Sequence, residues 1–106
     1  MTYEELFQEV KTLFQKADVS EIKEHIAFQF NIEGEGEGIF YAEISDGKLF
    51  IEPYEYYDRD VIFTMTAQVL LNIAKGKQNP KTAYLTGKLK IEGSIEKALV
   101  LQKLIG

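Results

Sequence analysis

Three short segments of alternating apolar and polar residues, separated by tight turns, constrain the fold of this chain most strongly. Apolar residues occupy every second position over residues 26–32 and again over residues 40–44, and Leu49 and Ile51 begin a third segment. Alternation with a period of two predicts half-buried strands. Asp46-Gly47 is a strong hairpin signal between the second and third segments. The three strands are therefore expected to follow one another as antiparallel neighbours.

The rest of the sequence predicts helices and two more strands. Thr2 and Glu5 form a capping box before an amphipathic helix that extends to Ala17, and Asp18 or Ser20 is expected to cap a short turn through Ile22. The later predicted elements are a strand over 61–66, a helix from Ala67 to Lys75, a helical turn from Asn79-Pro80 to Gly87, a strand around Leu89 and Ile91, and a closing helix from Ile95 to Ile105.

Length and composition leave room for one domain. A chain of 106 residues can bury a single core, and cysteine is absent, so disulfides, thiol nucleophiles and cysteine metal sites are excluded. No apolar run approaches the roughly 20 residues that cross a bilayer. The acidic start Met-Thr-Tyr-Glu-Glu is unlike a basic signal peptide. We therefore expect one domain over residues 1–106 and a cytoplasmic location.

Charge is divided unequally along the chain. The net charge of −5 argues against a nucleic-acid binder, yet residues 1–60 hold 15 acidic and 5 basic side chains while residues 61–106 hold 2 and 7. Two interpretations stand: a solubilising face balanced by the acidic half, or a surface that contacts a lipid headgroup or an anionic membrane. The lysines concerned are Lys75, Lys77, Lys81, Lys88 and Lys90.

Residues suited to catalysis are too few to form a site. His25 is the lone histidine, and no second histidine or cysteine completes a triad or a metal set. Glu33, Glu35 and Glu37 alternate with glycines, and carboxylates on such a hairpin are expected to be solvated rather than catalytic. The glycine spacing fits no nucleotide-binding motif. We expect no enzymatic activity, no metal and no cofactor.

Two helices carry more apolar surface than a single sheet face can cover. A covering helix needs an apolar stripe somewhat over 100° wide. The apolar residues of segment 69–74 and of the closing helix extend around most of the helical circumference. Either the helices bury their second faces against one another and the first helix, or an apolar cavity lies between helices and sheet and holds a small apolar ligand. Periodicity alone does not separate these interpretations.

The second half of the chain carries a set of motifs in a characteristic order. They are Phe63-Thr64-Met65, Leu70-Leu71, Gly76-Lys77, Asn79-Pro80, Ala83, Gly87-Lys88-Leu89-Lys90-Ile91-x-Gly93 and Ala98-x-x-Leu101-Gln102. In this order and spacing the chain resembles the sterol carrier protein 2 family of non-specific lipid-transfer domains, closely from Phe28 onward and more loosely in the first helix. The glycines and Asn-Pro match positions where the family needs turns or close helix contact.

The resemblance implies an α+β fold, with a five-stranded, mainly antiparallel sheet covered on one face by helices and a hydrophobic tunnel between the two layers. It also implies a non-catalytic carrier of fatty acids, acyl-CoA, sterols or phospholipids, or alternatively an accessory protein that presents a quinone precursor to biosynthetic enzymes. Leu104-Ile105-Gly106 stands in place of the peroxisomal tripeptide of eukaryotic members, which favours a cytosolic carrier. The predicted wall residues are Phe28, Phe30, Phe40, Ile51, Phe63, Met65, Leu70, Ile73, Tyr84, Leu89, Ile91, Leu99 and Leu101.

Overall fold

The computed structural model describes residues 1–105, so Gly106 of the C-terminal tripeptide lies outside the described residues. Five strands and four α-helices follow one another, and the last helix continues as a 3₁₀ helix. The elements are α1 (Tyr3–Phe14), β1 (Ile26–Glu33), β2 (Gly38–Ser45), β3 (Lys48–Glu52), β4 (Val61–Thr66), α2 (Ala67–Ala74), α3 (Pro80–Leu85), β5 (Lys90–Gly93), α4 (Ile95–Ala98) and the 3₁₀ helix Leu99–Leu104.

The strands form one mixed sheet in the order β3-β2-β1-β4-β5. β1, β2 and β3 are antiparallel neighbours, as the alternation and the Asp46-Gly47 turn predicted. β4 pairs with β1 in parallel, with Phe28 opposite Val61, and β5 is antiparallel to β4. The predicted α+β fold with a five-stranded, mainly antiparallel sheet is confirmed.

Helix α1 begins at the predicted capping box. The Thr2 hydroxyl accepts the Glu5 N–H at 3.2 Å, and the Glu5 carboxylate accepts the Thr2 N–H at 2.8 Å. The helix ends at Phe14 rather than at Ala17, because Ala17 N–H bonds the Phe14 carbonyl in a tighter 3₁₀-like turn. Asp18 accepts the Ser20 N–H at 2.9 Å in a local turn, and no helix follows it before β1.

Aromatic rings form the centre of the core between α1 and the sheet. Phe30 stacks on Phe40 with ring centroids 4.9 Å apart and on Phe63 at 5.4 Å. Phe14 of α1 packs against Phe30 at 5.9 Å, and Phe7 meets the edge of Phe40 at 5.5 Å. Each pair gains attraction beyond the area that it buries. One continuous cluster therefore joins α1, β1, β2 and β4.

The closing segment is wound more tightly than the continuous α-helix that its sequence predicted. It is α-helical only over Ile95–Ala98 and then 3₁₀ from Leu99. In a 3₁₀ helix, residues three apart lie in one row along the axis. Ala98, Leu101 and Leu104 recur at that spacing, and all three are buried. The tighter winding thus places three apolar side chains in a single row towards the core.

The connection between β3 and β4 packs against the face of the sheet opposite α1. Tyr56 stacks on Tyr41 of β2 at 4.9 Å, and its N–H donates to the buried Gln29 side chain on β1 at 3.3 Å. Tyr54 and Tyr57 are exposed. Throughout residues 1–105, no helix is both long enough and apolar enough to cross a membrane.

Candidate functional site

An apolar groove of about 260 Å³ lies between α3 and the closing segment, with β4 and β5 as its floor. Side chains from all these elements form its walls. They are Phe63, Pro80, Lys81, Tyr84, Leu85, Leu89, Ile91, Ile95, Ala98, Leu99, Leu101 and Gln102. The set contains one charged side chain and one amide, so the groove offers an apolar ligand little competition from bound water.

Helix α3 forms one wall because turns at both its ends hold it across the floor. The Asn79 carboxamide oxygen accepts the Lys81 and Thr82 N–H groups at 2.8 and 3.2 Å, with Pro80 at the first helical position. At the other end Gly87 has φ +80°, which permits Lys88 N–H to bond the Ala83 carbonyl at 2.8 Å. The predicted helical turn from Asn79-Pro80 to Gly87 is confirmed.

The closing segment forms the opposite wall and is fixed to the sheet by an ion pair. Ser94 caps α4 by accepting the Lys97 N–H at 3.2 Å. The Lys97 ammonium lies 2.9 Å from one oxygen of Asp60, whose other oxygen accepts the Ala27 N–H of β1 at 2.9 Å. Burial opposes ionisation of Asp60, but the hydrogen bonds from Lys97 and Ala27 outweigh it and hold the pKa of the carboxyl below its ordinary value.

The structure divides the thirteen predicted wall residues into two groups. Six line the groove: Phe63, Tyr84, Leu89, Ile91, Leu99 and Leu101. Seven lie in the packed core: Phe28, Phe30, Phe40, Ile51, Met65, Leu70 and Ile73. The excess apolar surface noted in the sequence divides in the same way, because Leu70 and Ile73 of α2 are fully buried while Leu99 remains exposed at the groove.

The sequence analysis did not predict several residues of the groove as wall residues. These are Pro80, Leu85, Ile95, Ala98 and Gln102. A signal was present for two of them. Leu85 is a large apolar residue at the end of a helix of only six residues, which buries only Ala83. Ile95 precedes Leu99 by one α-helical turn, so the two lie on the same helical face.

The five lysines of the acid-poor segment do not form one cluster. Lys81 lines the groove. Lys75 pairs with Glu9 of α1 at 3.2 Å, and Lys90 lies 4.0 Å from Glu33. Within residues 1–105, Lys77 and Lys88 are exposed and have no carboxylate within 4.0 Å. The acidic half of the chain thus balances two of the five charges, and Lys81 and Lys88 remain beside α3.

A second depression lies near the amino end of α2, and it differs in character from the groove. Its volume is about 390 Å³, and its lining includes Glu33, Glu35, Thr66 and Gln68. Glu35 already binds the terminal ammonium of Met1 at 3.2 Å. Carboxylates and amides at this position suit water better than hydrocarbon. The groove is therefore the site with the chemistry for an apolar ligand.

His25 belongs to a polar cluster on the face of the sheet opposite α1. Its Nε2 lies 2.6 Å from a Glu43 oxygen, and that oxygen also accepts the Tyr56 hydroxyl at 2.9 Å. The hydrogen bond to Glu43, together with burial, raises the pKa of Tyr56 to about 12, so the phenol stays protonated. Within residues 1–105 no three potential ligand side chains converge to hold a metal ion.

The sequence matches one protein family along almost its whole length. The profile of the SCP-2 sterol transfer family aligns with residues 5–106. Hydroxysteroid dehydrogenase-like protein 2 from Xenopus tropicalis is 32% identical over 80 residues, which are 74% of this chain and 19% of that protein. Sterol carrier protein 2 from Bos taurus is 35% identical over 80 residues, 73% of this chain and 15% of that protein. The chain thus spans about a fifth or less of the length of these relatives.

Solved structures share the fold at lower identity. The inverting sec-alkylsulfatase Pisa1 from Pseudomonas sp. superposes with a TM-score of 0.80 at 19% identity, covering 93% of this chain and 16% of that one. Palmitated SCP2L2 from Aedes aegypti gives 0.70 at 20% identity, covering 98% and 94%. The UbiJ-SCP2 ubiquinone synthesis protein gives 0.71 at 13% identity, covering 96% and 90%. With the family profile matched from Glu5 onward and the fold shared along nearly the whole chain, this protein belongs to the SCP-2 sterol transfer family.

Proposed function

We propose that this chain is a non-catalytic lipid carrier that holds the apolar part of a lipid in the groove between α3 and the closing segment. The observation that carries the proposal is an open groove of about 260 Å³ whose walls are almost entirely apolar. Membership of the family and the likeness to palmitated SCP2L2 from Aedes aegypti support it. The predicted ligands are a long-chain fatty acid, an acyl-CoA, a sterol or a phospholipid.

Desolvation of hydrocarbon supplies the affinity in this mechanism. Each buried CH₂ group contributes about 0.8 kcal/mol, so eight of them contribute about 6 kcal/mol before the entropic costs of capture. Pockets for small molecules range from about 300 to 1,000 Å³. The groove is slightly smaller, so it is expected to hold part of a long chain while the remainder lies along the exposed rim.

The headgroup is expected to lie beside Lys81, the single charged side chain in the groove wall. An ammonium there suits the carboxylate of a fatty acid or a phosphate of acyl-CoA, since charge-assisted hydrogen bonds to such oxygens are strong. Contact of ligand with the seven predicted wall residues in the packed core stays a prediction, because it needs a tunnel larger than this groove. It requires the aromatic stack around Phe30 to open.

Titration with fluorescent fatty acids of eight to eighteen carbons tests the proposal. Affinity should rise with chain length until the groove is filled, with about one ligand bound per chain. Lys81→Gln should weaken a fatty acid more than its uncharged methyl ester, whereas the exposed Lys16→Gln serves as a control that should leave both unchanged. Flat affinities across the series, with the protein verifiably folded, would show that the groove is not a lipid site.

The alternative function is presentation of a quinone precursor to biosynthetic enzymes. The structural likeness to the UbiJ-SCP2 ubiquinone synthesis protein favours it over other accessory roles. Such a role requires stable association with an enzyme, whereas a carrier needs only transient contacts. Purification of the tagged chain from its native cells at physiological salt separates the two: a stoichiometric enzyme partner supports presentation, and recovery of the chain with lipid alone supports the carrier.

A further inference from the structure

We propose that the rim of the groove is a membrane-docking surface, which inserts apolar side chains into an anionic lipid bilayer and places the groove mouth against it. Four residues make up this rim: Tyr84 and Leu85 on α3, and Ile95 and Leu99 on the closing segment. The proposal rests on the proposed function for its purpose, because loading and unloading of a lipid need the groove to face the membrane.

Exposure of the rim is the first observation. Tyr84 is 45% exposed, Leu85 72%, Ile95 54% and Leu99 65%. Nine large apolar side chains of the described residues are exposed, and these four line a single groove. A small domain rarely leaves large apolar residues together in water unless the surface binds something. Both sides of the groove contribute, so insertion would place its opening directly at the hydrocarbon.

Charge beside the rim indicates the kind of partner. Lys81 lies in the groove wall, and Lys88 lies close to α3 because its N–H bonds the Ala83 carbonyl at 2.8 Å. No acidic residue occurs between Val61 and Ile91. Apolar side chains flanked by cations are the combination that binds the interface of an anionic bilayer. A protein partner would need a matching acidic rim, whereas anionic lipid supplies negative charge over its whole surface.

Two acidic side chains follow groove residues in the chain, and they differ in whether they lie at the rim. Glu92 follows Ile91, which lines the groove, so its side chain points to the opposite face of the sheet. Glu96 is exposed directly after Ile95 and therefore lies at the edge of the rim. A carboxylate at that position should weaken docking on negative lipid, and the substitution Glu96→Lys should strengthen it.

Vesicle binding by the full chain provides the test. Phosphatidylcholine vesicles are compared with vesicles that also contain phosphatidylserine, at low and at physiological salt. The chain should bind the anionic vesicles, and less tightly at physiological salt, where screening acts over about 8 Å. Leu85→Ser with Leu99→Ser should weaken binding at least about tenfold. Lys81→Glu with Lys88→Glu should weaken vesicle binding at least about thirtyfold, since each lysine near the membrane surface raises the affinity about fivefold.

Matched controls come from the same surface types elsewhere on the chain. Phe50→Ser removes an exposed apolar side chain from β3, and Lys16→Glu with Lys48→Glu reverses two exposed lysines outside the groove. Neither change should weaken binding as much as its counterpart at the rim. The chain has no tryptophan, so Tyr84→Trp gives a single reporter whose emission should shift to the blue on anionic vesicles, while Phe50→Trp should not respond.

Four outcomes would overturn the proposal. Rim variants that bind vesicles as the parent does would place docking elsewhere, and an unresponsive Trp in Tyr84→Trp would exclude insertion. A parent that forms dimers which the double serine variant dissociates would assign the rim to a second copy. Titration of the parent chain with a fatty acid in the absence of vesicles separates this proposal from lipid carriage. A parent that docks on vesicles but binds no fatty acid contradicts the carrier. A parent that binds the fatty acid but does not dock contradicts docking.

Discussion

The two ends of the same sheet face are covered in different ways. Over β1 and β2, the twelve-residue helix α1 buries Leu6, Phe7, Val10 and Phe14, and its rings pack directly against the strand aromatics. Beside β4 and β5, the six-residue helix α3 forms one wall of the groove and buries only Ala83. The first end is closed and the second retains a groove of about 260 Å³.

The difference shows that how completely a helix covers the sheet depends on how many side chains the helix buries, more than on the strands beneath it. Phe63 makes this visible because it belongs to both ends. Its ring stacks on Phe30 at 5.4 Å within the core, and it also forms part of the groove floor. One strand residue can therefore meet packed rings on one side and an opening on the other.

The largest effect is expected at the closed end. Phe30→Ala removes the ring that contacts Phe14, Phe40 and Phe63 and leaves a cavity that the surrounding elements cannot fill, so the free energy of unfolding should fall by about 3 to 5 kcal/mol. Chemical denaturation measures it. A loss below about 1 kcal/mol would show that this end is loosely packed and would remove the contrast with the groove.

A smaller effect separates packed wall residues from groove residues. Met65 is buried in the core, so Met65→Trp should overpack it and lower the free energy of unfolding by about 1 to 3 kcal/mol. Leu99 lines the groove and is largely exposed, so Leu99→Trp should leave stability nearly unchanged and displace about two CH₂ groups of ligand, weakening fatty-acid binding about tenfold. Denaturation and titration on both variants are compared. Weakened binding by folded Met65→Trp would extend the ligand path into the core.

The smallest effect concerns the link between the two ends. Asp60 joins β1 to α4, and Asp60→Asn should cost about 1 to 2 kcal/mol at neutral pH by weakening that link. Because the pKa of Asp60 is lower in the folded state than its ordinary value of 3.8, its contribution is present above that value and is lost as pH falls through the folded pKa.

Denaturation of parent and Asp60→Asn from neutral to acid pH checks the sign. The difference in stability should be constant near neutrality and narrow below about pH 4. The exposed Asp58→Asn is the matched control and should track the parent throughout. A difference that widens in acid would contradict the assigned direction of the pKa shift.

Much of the fold could be predicted because its signals are local. The alternation in β1 and β2, the turn at Asp46-Gly47 and the caps at Thr2 and Asn79 act within a few residues, and the structure has each of them. The parallel pairing of β1 with β4 was not predicted, because no short-range pattern identifies which strands pair across a long connection.

The site was harder to predict, because lining a groove and filling a core need the same residue types. Phe28 and Leu89 are both buried and both match apolar family positions, but only Leu89 lines the groove, and nothing local in the sequence separates them. The exposed rim left a weaker signal. Leu85 and Leu99 are apolar residues on short helical segments, where their side chains do not reach the core. The lengths of α3 and of the closing helix were predicted only approximately.

The parallel β1–β4 pair also has a consequence for the order of folding. Ala27 and Asp60, which meet at the start of this pair, are 33 residues apart, whereas β1, β2 and β3 are joined by short turns. Contacts that close long loops form later than local hairpins. On a ribosome, the first three strands therefore emerge with an unpaired edge on β1. The strands and helices that form the groove are all synthesised after them. Until β4 pairs, that edge is open to other nascent chains, and the groove is the last part of the molecule to acquire its shape.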